Sequence, residues 1–334
     1  MNSAAPPSPS SLPAPAAAFA GWVPFHIART TPDMSILWTW LGAERFRDPF
    51  FDQTLTTAFR RPLHLLLQRA TTLEQLVEIA EHSPAIAPTG FIYHVSRCGS
   101  TLVAQQLARL DRAIVLSEAR PLTTALEDPR LCDADRVRAF RALIRLYGRR
   151  SGAESDYIIK FDARNLLDWP IITAAFPEVP RVILHRDPVE VLVSNLGSQQ
   201  SALMPGQIDP ARLGEPHRPL NSPDEFAAFV LSRYYAAAVQ AARAPGSLTL
   251  DYRALATTAT GLIAEHFGLQ LCSADLSAMQ AAAGIYSKDA SKRAPFAPDS
   301  AAKQAEAGAA TRQLAAEWLE PHYRQLAELG PGAG

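Results

Sequence analysis

Ser96-Arg97-Cys98-Gly99-Ser100-Thr101-Leu102 combines a cation, a glycine and several hydroxyls between an apolar run (91–95) and a helical pattern with Val103, Leu107 and Leu110 on one face. Strand, tight turn and helix in that order make an anion site. The first N–H groups of the helix have no intrahelical acceptor, and its dipole favours negative charge there. Gly99 lets the backbone approach a ligand closely, and Arg97 adds a fork of donors suited to oxyanions. The pattern is not a Walker A loop, since GxxxxGK[ST] and its lysine are absent. A second apolar run ends in His185-Arg186-Asp187-Pro188. Asp187, Pro188 and Glu190 fit N-cap, N1 and N3 of a helix. Ser194 follows the cap by two turns, so Arg186 and Ser194 flank one anion. His185-Arg186-Asp187 also matches the start of a kinase catalytic loop, but the required Asn, DFG and GxGxxG are missing. Asp187 is therefore read as a cap.

Three more residues sit where apolar runs end. Glu118 and Arg120 lie two apart just past the run 113–116, and in an extended segment they share a face. They point into a cleft or form a surface ion pair. Lys160 ends the run 157–161, where an ammonium among apolar neighbours requires an anionic partner or must snorkel to solvent. Cys98 lies in an electropositive loop but has no partner His in the sequence, so nucleophilic thiol catalysis is set aside. His64, His82, His94, His185 and His266 show no metal-ligand spacing and are read as structural.

Two anion sites at the ends of parallel strands suit a ligand with two separated anionic groups. On these residues the chain resembles the sulfotransferases that use 3′-phosphoadenosine 5′-phosphosulfate (PAPS). The segment 96–102 looks like their 5′-phosphosulfate loop. Arg186-Asp187-Pro188 with Ser194 looks like their 3′-phosphate element. Leu250-Asp251-Tyr252-Arg253-Ala254-Leu255, leading to His266-Phe267-Gly268-Leu269, resembles a later strand–helix unit, so the likeness covers roughly 90–325. Arg97 stands where many members have Lys, and the Gly- and Lys-rich C-terminal signature of the cytosolic branch is missing.

The resemblance implies PAPS as co-substrate, no metal, and a small-molecule, lipid or glycan acceptor. It implies donor binding by Arg97, Cys98, Gly99, Ser100, Thr101, Arg186 and Ser194. A lid from the basic segment 287–303 adds Lys288 and Arg293, with Lys292 beside them. It makes Glu118 the base, Arg120 its neighbour, and Lys160 a cation near the scissile bond, with Arg97 also catalytic. The alternatives are an ATP-using P-loop kinase, which needs a Walker lysine and a Mg²⁺-binding acid, and a nucleotide-binding protein without turnover.

The elements that must position these groups follow from the apolar pattern. Runs at 91–95, 113–116, 157–161, 181–185 and 248–252 alternate with helical stretches. That pattern predicts an α/β fold: a P-loop-type parallel sheet of about five strands with helices on both faces, ligands lying beyond the strands' carboxyl ends. Residues 90–330 form this domain. Residues 19–89 are expected to be a small aromatic-rich helical module that packs on it or walls an acceptor pocket. Asp48-Pro49 should open a helix at 50–59, and another should cover 73–82. Residues 1–18, rich in Ala, Pro and Ser, read as a disordered tail without a secretory h-region, which points to the cytoplasm. The Pro-rich segment 198–224 reads as a lid. The arginines of a helix over 136–150 read as a solvated face.

Composition fits a globular chain with a sizeable core. Of 334 residues, 48% are apolar, and 32 Lys plus Arg against 33 Asp plus Glu leave a net charge of −1, which argues against a broadly basic nucleic-acid binder. Three cysteines without CxxC form neither a disulfide framework nor a zinc ribbon. No apolar run reaches the ~18 residues of a membrane span.

Overall fold

The computed structural model describes residues 14–28, 34–44, 46–197, 203–256, 259–283 and 299–331. The parallel sheet is present: β4 (Gly90–His94), β5 (Ala113–Ser117), β6 (Asp156–Lys160), β7 (Arg181–His185) and β8 (Ser247–Asp251), in the order β5-β6-β4-β7-β8. Every pairing is parallel, with Ser117 opposite Lys160, Ile92 opposite Lys160, and His185 opposite Asp251. Strands β4, β5 and β7 are buried throughout. Burial on both faces is why their sequences are continuous apolar runs. Flanking helices connect them, and β4 lies at the centre, so the loop after it is surrounded by those of β6 and β7.

The N-terminal module carries the two expected helices, Phe51–Phe59 and Leu73–Glu81, and also a three-stranded antiparallel sheet that the sequence reading lacked. Its strands are β1 (Trp22–Ala28), β2 (Ser35–Trp40) and β3 (Gln68–Thr71). Pro24 interrupts the alternation of β1, and the register shifts there between Pro24 and His26. Trp38 is fully buried and donates from Nε1 to Thr71 Oγ1 at 2.8 Å. Thr72 closes a capping box with Gln75 on the second helix. Asp48 does not cap the first. Phe50 is its extended N-cap residue (φ −141°, ψ 145°), and Asp48 Oδ2 instead accepts from Thr54 Oγ1 at 2.7 Å.

The module is tied to the α/β domain by the helix Asp133–Tyr147 and the turn after it. Tyr147 donates to Pro24 O at 2.7 Å, and Phe51 packs edge-on against its ring at 5.5 Å. The arginines there are not simply a solvated face. Arg141, Arg145 and Arg149 donate to the carbonyls of Ala175, Ala80 and Phe19, stapling neighbouring elements. Residues 14–18 of the expected disordered tail form a short helix with Ala16 buried, and residues 1–13 lie outside the described residues. Within 203–224, Leu203, Ile208 and Leu213 are buried, and Pro210–Leu213 is a helical turn. Among the described residues no helix is long and apolar enough to cross a membrane.

Candidate active site

Among the described residues, the non-glycine residues with a left-handed backbone are Ser96 (φ 80°), Arg97 (φ 51°) and Glu118 (φ 51°). Each such conformation costs of order 1–3 kcal/mol and persists only where its surroundings enforce it. All three lie just beyond the carboxyl ends of β4 and β5.

The loop after β4 is held from several sides. Ser96 N–H donates to His94 Nδ1 at 3.2 Å, and Ser96 Oγ donates to Asn195 Oδ1 at 3.1 Å. Arg186 Nη1 donates to Arg97 O at 3.1 Å. Cys98 is fully buried and its thiol donates to Leu184 O at 3.3 Å, so its side chain anchors the loop and only its backbone is left for a ligand. Gly99 is the N-cap of the helix Ser100–Leu107, which has no side-chain cap. That absence leaves the first turn open to an anion. Ser100 and Thr101 are buried in the same turn.

Gly99 is required twice over. Its φ is 79°, and a Cβ there would meet Leu255 Cδ1 at 2.5 Å and the Tyr252 ring at 3.1 Å. Gly99→Ala is expected to lower the melting temperature. A calorimetric melt checks this, and a wild-type melting temperature would show that the loop does not need its observed shape.

After β7 the Asp187 cap forms as expected, while Arg186 beside it is engaged by acids. Asp187 caps the helix Pro188–Leu196 by accepting from Val189 N and Glu190 N. Glu190 does not complete a capping box; it accepts from Arg186 Nε at 2.6 Å. Arg186 is 4% exposed, stacks over Tyr252 at 3.9 Å, and pairs with Asp299 Oδ1 at 2.5 Å. Burial opposes the guanidinium charge, and Glu190 and Asp299 outweigh it, so its pKa is raised. Ser194 is half-buried on the same helix.

Glu118 and Lys160 meet. Lys160 is fully buried, pairs with Glu118 Oε1, and lies 5.1 Å from the Phe50 ring centre. His94 Nε2 faces the same oxygen at 3.4 Å. Burial opposes the imidazolium, but Cys98 and Glu118 outweigh it and raise the His94 pKa to about 9, so Nε2 carries a proton toward Glu118. Burial works to raise the Glu118 pKa, but Lys160 and His94 outweigh it and hold the carboxyl down at about 2.

Arg120 does not join this group. The left-handed turn at Glu118 breaks the extended segment, so residues two apart no longer share a face, and Arg120 pairs with exposed Asp52 at 2.6 Å. Phe50 was missed in the sequence, and His94 was read there as structural. The signal for His94 was its place as the last residue of β4, directly before the loop. Lys288, Lys292 and Arg293 lie outside the described residues; of the segment 287–303, Asp299 is seen on Arg186 and Lys303 pairs with Glu306. A cavity of about 810 Å³ is remote from these groups, lined by Trp22, Phe46, Ala113 and Glu154 at the amino-terminal side of β5 and β6.

No protein-family model matches the chain, and no curated protein matches it. Among solved structures, it is similar to a sulfotransferase from Alicyclobacillus acidocaldarius at 14% identity and a TM-score of 0.44, covering 73% of this chain and 95% of that one. It is similar to a sulfotransferase from Mycobacterium avium at 14% identity and a TM-score of 0.47, covering 75% and 81%. A mouse sulfotransferase complexed with PAP is similar at 12% identity and a TM-score of 0.39, covering 78% and 89%.

Proposed function

We propose that this chain transfers a sulfuryl group from PAPS to a hydroxyl or amine of a small-molecule, lipid or glycan acceptor by in-line displacement. The observation that carries the reading is the strand order. Across β5-β6-β4-β7, neighbouring strands end in Glu118, Lys160, the loop 96–101 and Arg186 in turn. Strands lie ~4.8 Å apart, so base, cation, phosphosulfate loop and 3′-phosphate cation form one row along the sheet edge.

In this reading the open turn at Ser100, the loop N–H groups and Arg97 hold the 5′-phosphosulfate, with the Ser100 and Thr101 hydroxyls beside it. Arg186 and Ser194 hold the 3′-phosphate, which displaces Asp299 from Arg186. The acceptor oxygen or nitrogen attacks sulfur, the bond from sulfur to the bridging phosphate oxygen breaks, and 3′,5′-ADP leaves. Preorganised donors facing that oxygen stabilise the charge it gains, and Lys160 is the cation nearest that role.

Glu118 takes the acceptor's proton. A carboxyl held near 2 is a weak base, which two effects offset. The acceptor becomes acidic as its bond to sulfur forms. A phosphosulfate reaching Lys160 also shares the ammonium and releases part of its hold on Glu118. Arg120, paired with Asp52, takes no part.

Helix N-termini and guanidinium groups supply the charge neutralisation here, so EDTA should leave transfer of labelled sulfuryl from PAPS unchanged. Activity lost to EDTA and restored by Mg²⁺ would favour the ATP-using kinase and sink this reading.

A further inference from the structure

Eight large apolar side chains are exposed among the described residues, and Trp40, Leu63, Leu65, Leu66 and Leu67 are five of them. They lie together. Leu63, Leu65, Leu66 and Leu67 are consecutive but for His64, and Trp40 stacks on the His64 ring at 6.1 Å. Leu66 is 80% exposed. Isolated exposed leucines are ordinary, but a contiguous cluster marks an interaction site.

The cluster is presented rigidly. The helical turn Pro62–Leu66 is pinned from below by buried His64, whose Nδ1 meets Trp40 O at 2.6 Å and whose own carbonyl accepts from Thr39 Oγ1 at 3.4 Å. β3 begins immediately after it, at Gln68, and is paired to β2. The leucines therefore have no hinge by which to fold back onto the core.

Charge identifies what covers them. Residues 53–73 contain Arg60, Arg61 and Arg69 and no Asp or Glu. Two acids reach this stretch from outside: Glu44, which pairs with Arg61, and Asp48, which accepts from Thr54 at the far end of the helix. Arg69 donates to Ala18 O and lies 4.3 Å from the Trp22 ring centre, and Arg60 is exposed. Leucines at a tip, a tryptophan at its edge and arginines on both flanks are the features of a segment seated at a bilayer interface.

We propose that the segment 60–69, with Trp40, docks this protein on an anionic lipid surface. The leucines enter the boundary between headgroups and acyl chains, and Arg60 and Arg69 meet lipid phosphates. The helix Phe51–Phe59 joins this tip to Phe50 over Lys160. At 1.5 Å per residue that helix is ~14 Å long, so a docked surface lies close to the candidate active site.

Co-sedimentation of the full chain tests this, with vesicles of phosphatidylcholine containing one-third phosphatidylserine and with pure phosphatidylcholine. Binding should be at least tenfold stronger to the anionic vesicles and weaken in high salt. Leu65→Glu/Leu66→Glu should reduce it at least tenfold. Both side chains are exposed, so the circular dichroism melt should stay at the wild-type temperature. Equal binding to both vesicles would overturn the proposal. So would absence of binding to the anionic vesicles; a dimer, seen by sedimentation velocity, that the double variant dissolves would then show the leucines covering a second copy beside the β3 edge. None of these readouts uses nucleotide or turnover, so they stand apart from the transfer reading.

Discussion

Glu118→Gln is expected to lower single-turnover sulfuryl transfer by ~10²–10⁴-fold, the usual worth of a positioned general base. Affinity for 3′,5′-ADP should barely change, because Glu118 is not asked to touch the nucleotide. The structure adds a cost. Lys160 is fully buried and Glu118 is its carboxylate partner. Removing one member of a buried pair costs up to ~3–5 kcal/mol. The Glu118 side chain is 23% exposed, so water offsets part of this and the lower end is expected. Glu118→Asp is the companion that keeps the charge and most of the stability while drawing the carboxylate back by one methylene. It should melt nearer the wild type and still lose turnover.

The sign of the pH dependence separates pairing from catalysis. The folded-state pKa is lowered from 4.5 to about 2. The pair's stabilisation is therefore fully present above pH 4.5 and fades as pH falls toward 2. The gap in melting temperature between wild type and Glu118→Gln should close across that window. Retained turnover in Glu118→Gln would move the base elsewhere.

The parallel sheet was legible because buried strands have no solvent face to encode and so read as plain apolar runs. The Asp187 cap was legible because capping is local: the carboxylate, Pro188 at N1 and the following N–H groups are adjacent in sequence. The three-stranded sheet was not. Pro24 and the register shift beside it disturb the period of two, and β3 offers only Gln68 to Thr71, three of them exposed. At the site, the types and order of Arg97, Gly99, Lys160 and Arg186 were readable, but partners were not. Arg120 was placed beside Glu118 on the assumption of extended backbone, and one left-handed residue, Glu118 itself, overturned that. Asp299 on Arg186 spans 113 residues and no local pattern announces it.

That contact bears on the second large effect. Arg186→Ala is expected to weaken 3′,5′-ADP at least tenfold more than it weakens 5′-AMP, since a charge-assisted bond is worth ~1.5–3 kcal/mol. Both nucleotides should lose some affinity, because Arg186 Nη1 also supports the Arg97 carbonyl and hence the loop shape. The excess loss on the 3′-phosphorylated ligand is the diagnostic quantity. Ser194→Ala should show the same preference more weakly, without disturbing the loop. Equal losses for both ligands in the Arg186 variant would reduce this arginine to a strut and move the 3′-phosphate elsewhere.

The most direct measurement is a calorimetric titration of the wild-type chain with 3′,5′-ADP, 5′-AMP, and ATP plus Mg²⁺, each in parallel with a thermal melt. The expected result is that 3′,5′-ADP binds at least tenfold more tightly than 5′-AMP, needs no metal, and at ~100 times its dissociation constant stabilises the fold by about 2.7 kcal/mol. Absence of binding by 3′,5′-ADP, with tight binding of ATP plus Mg²⁺, would contradict it.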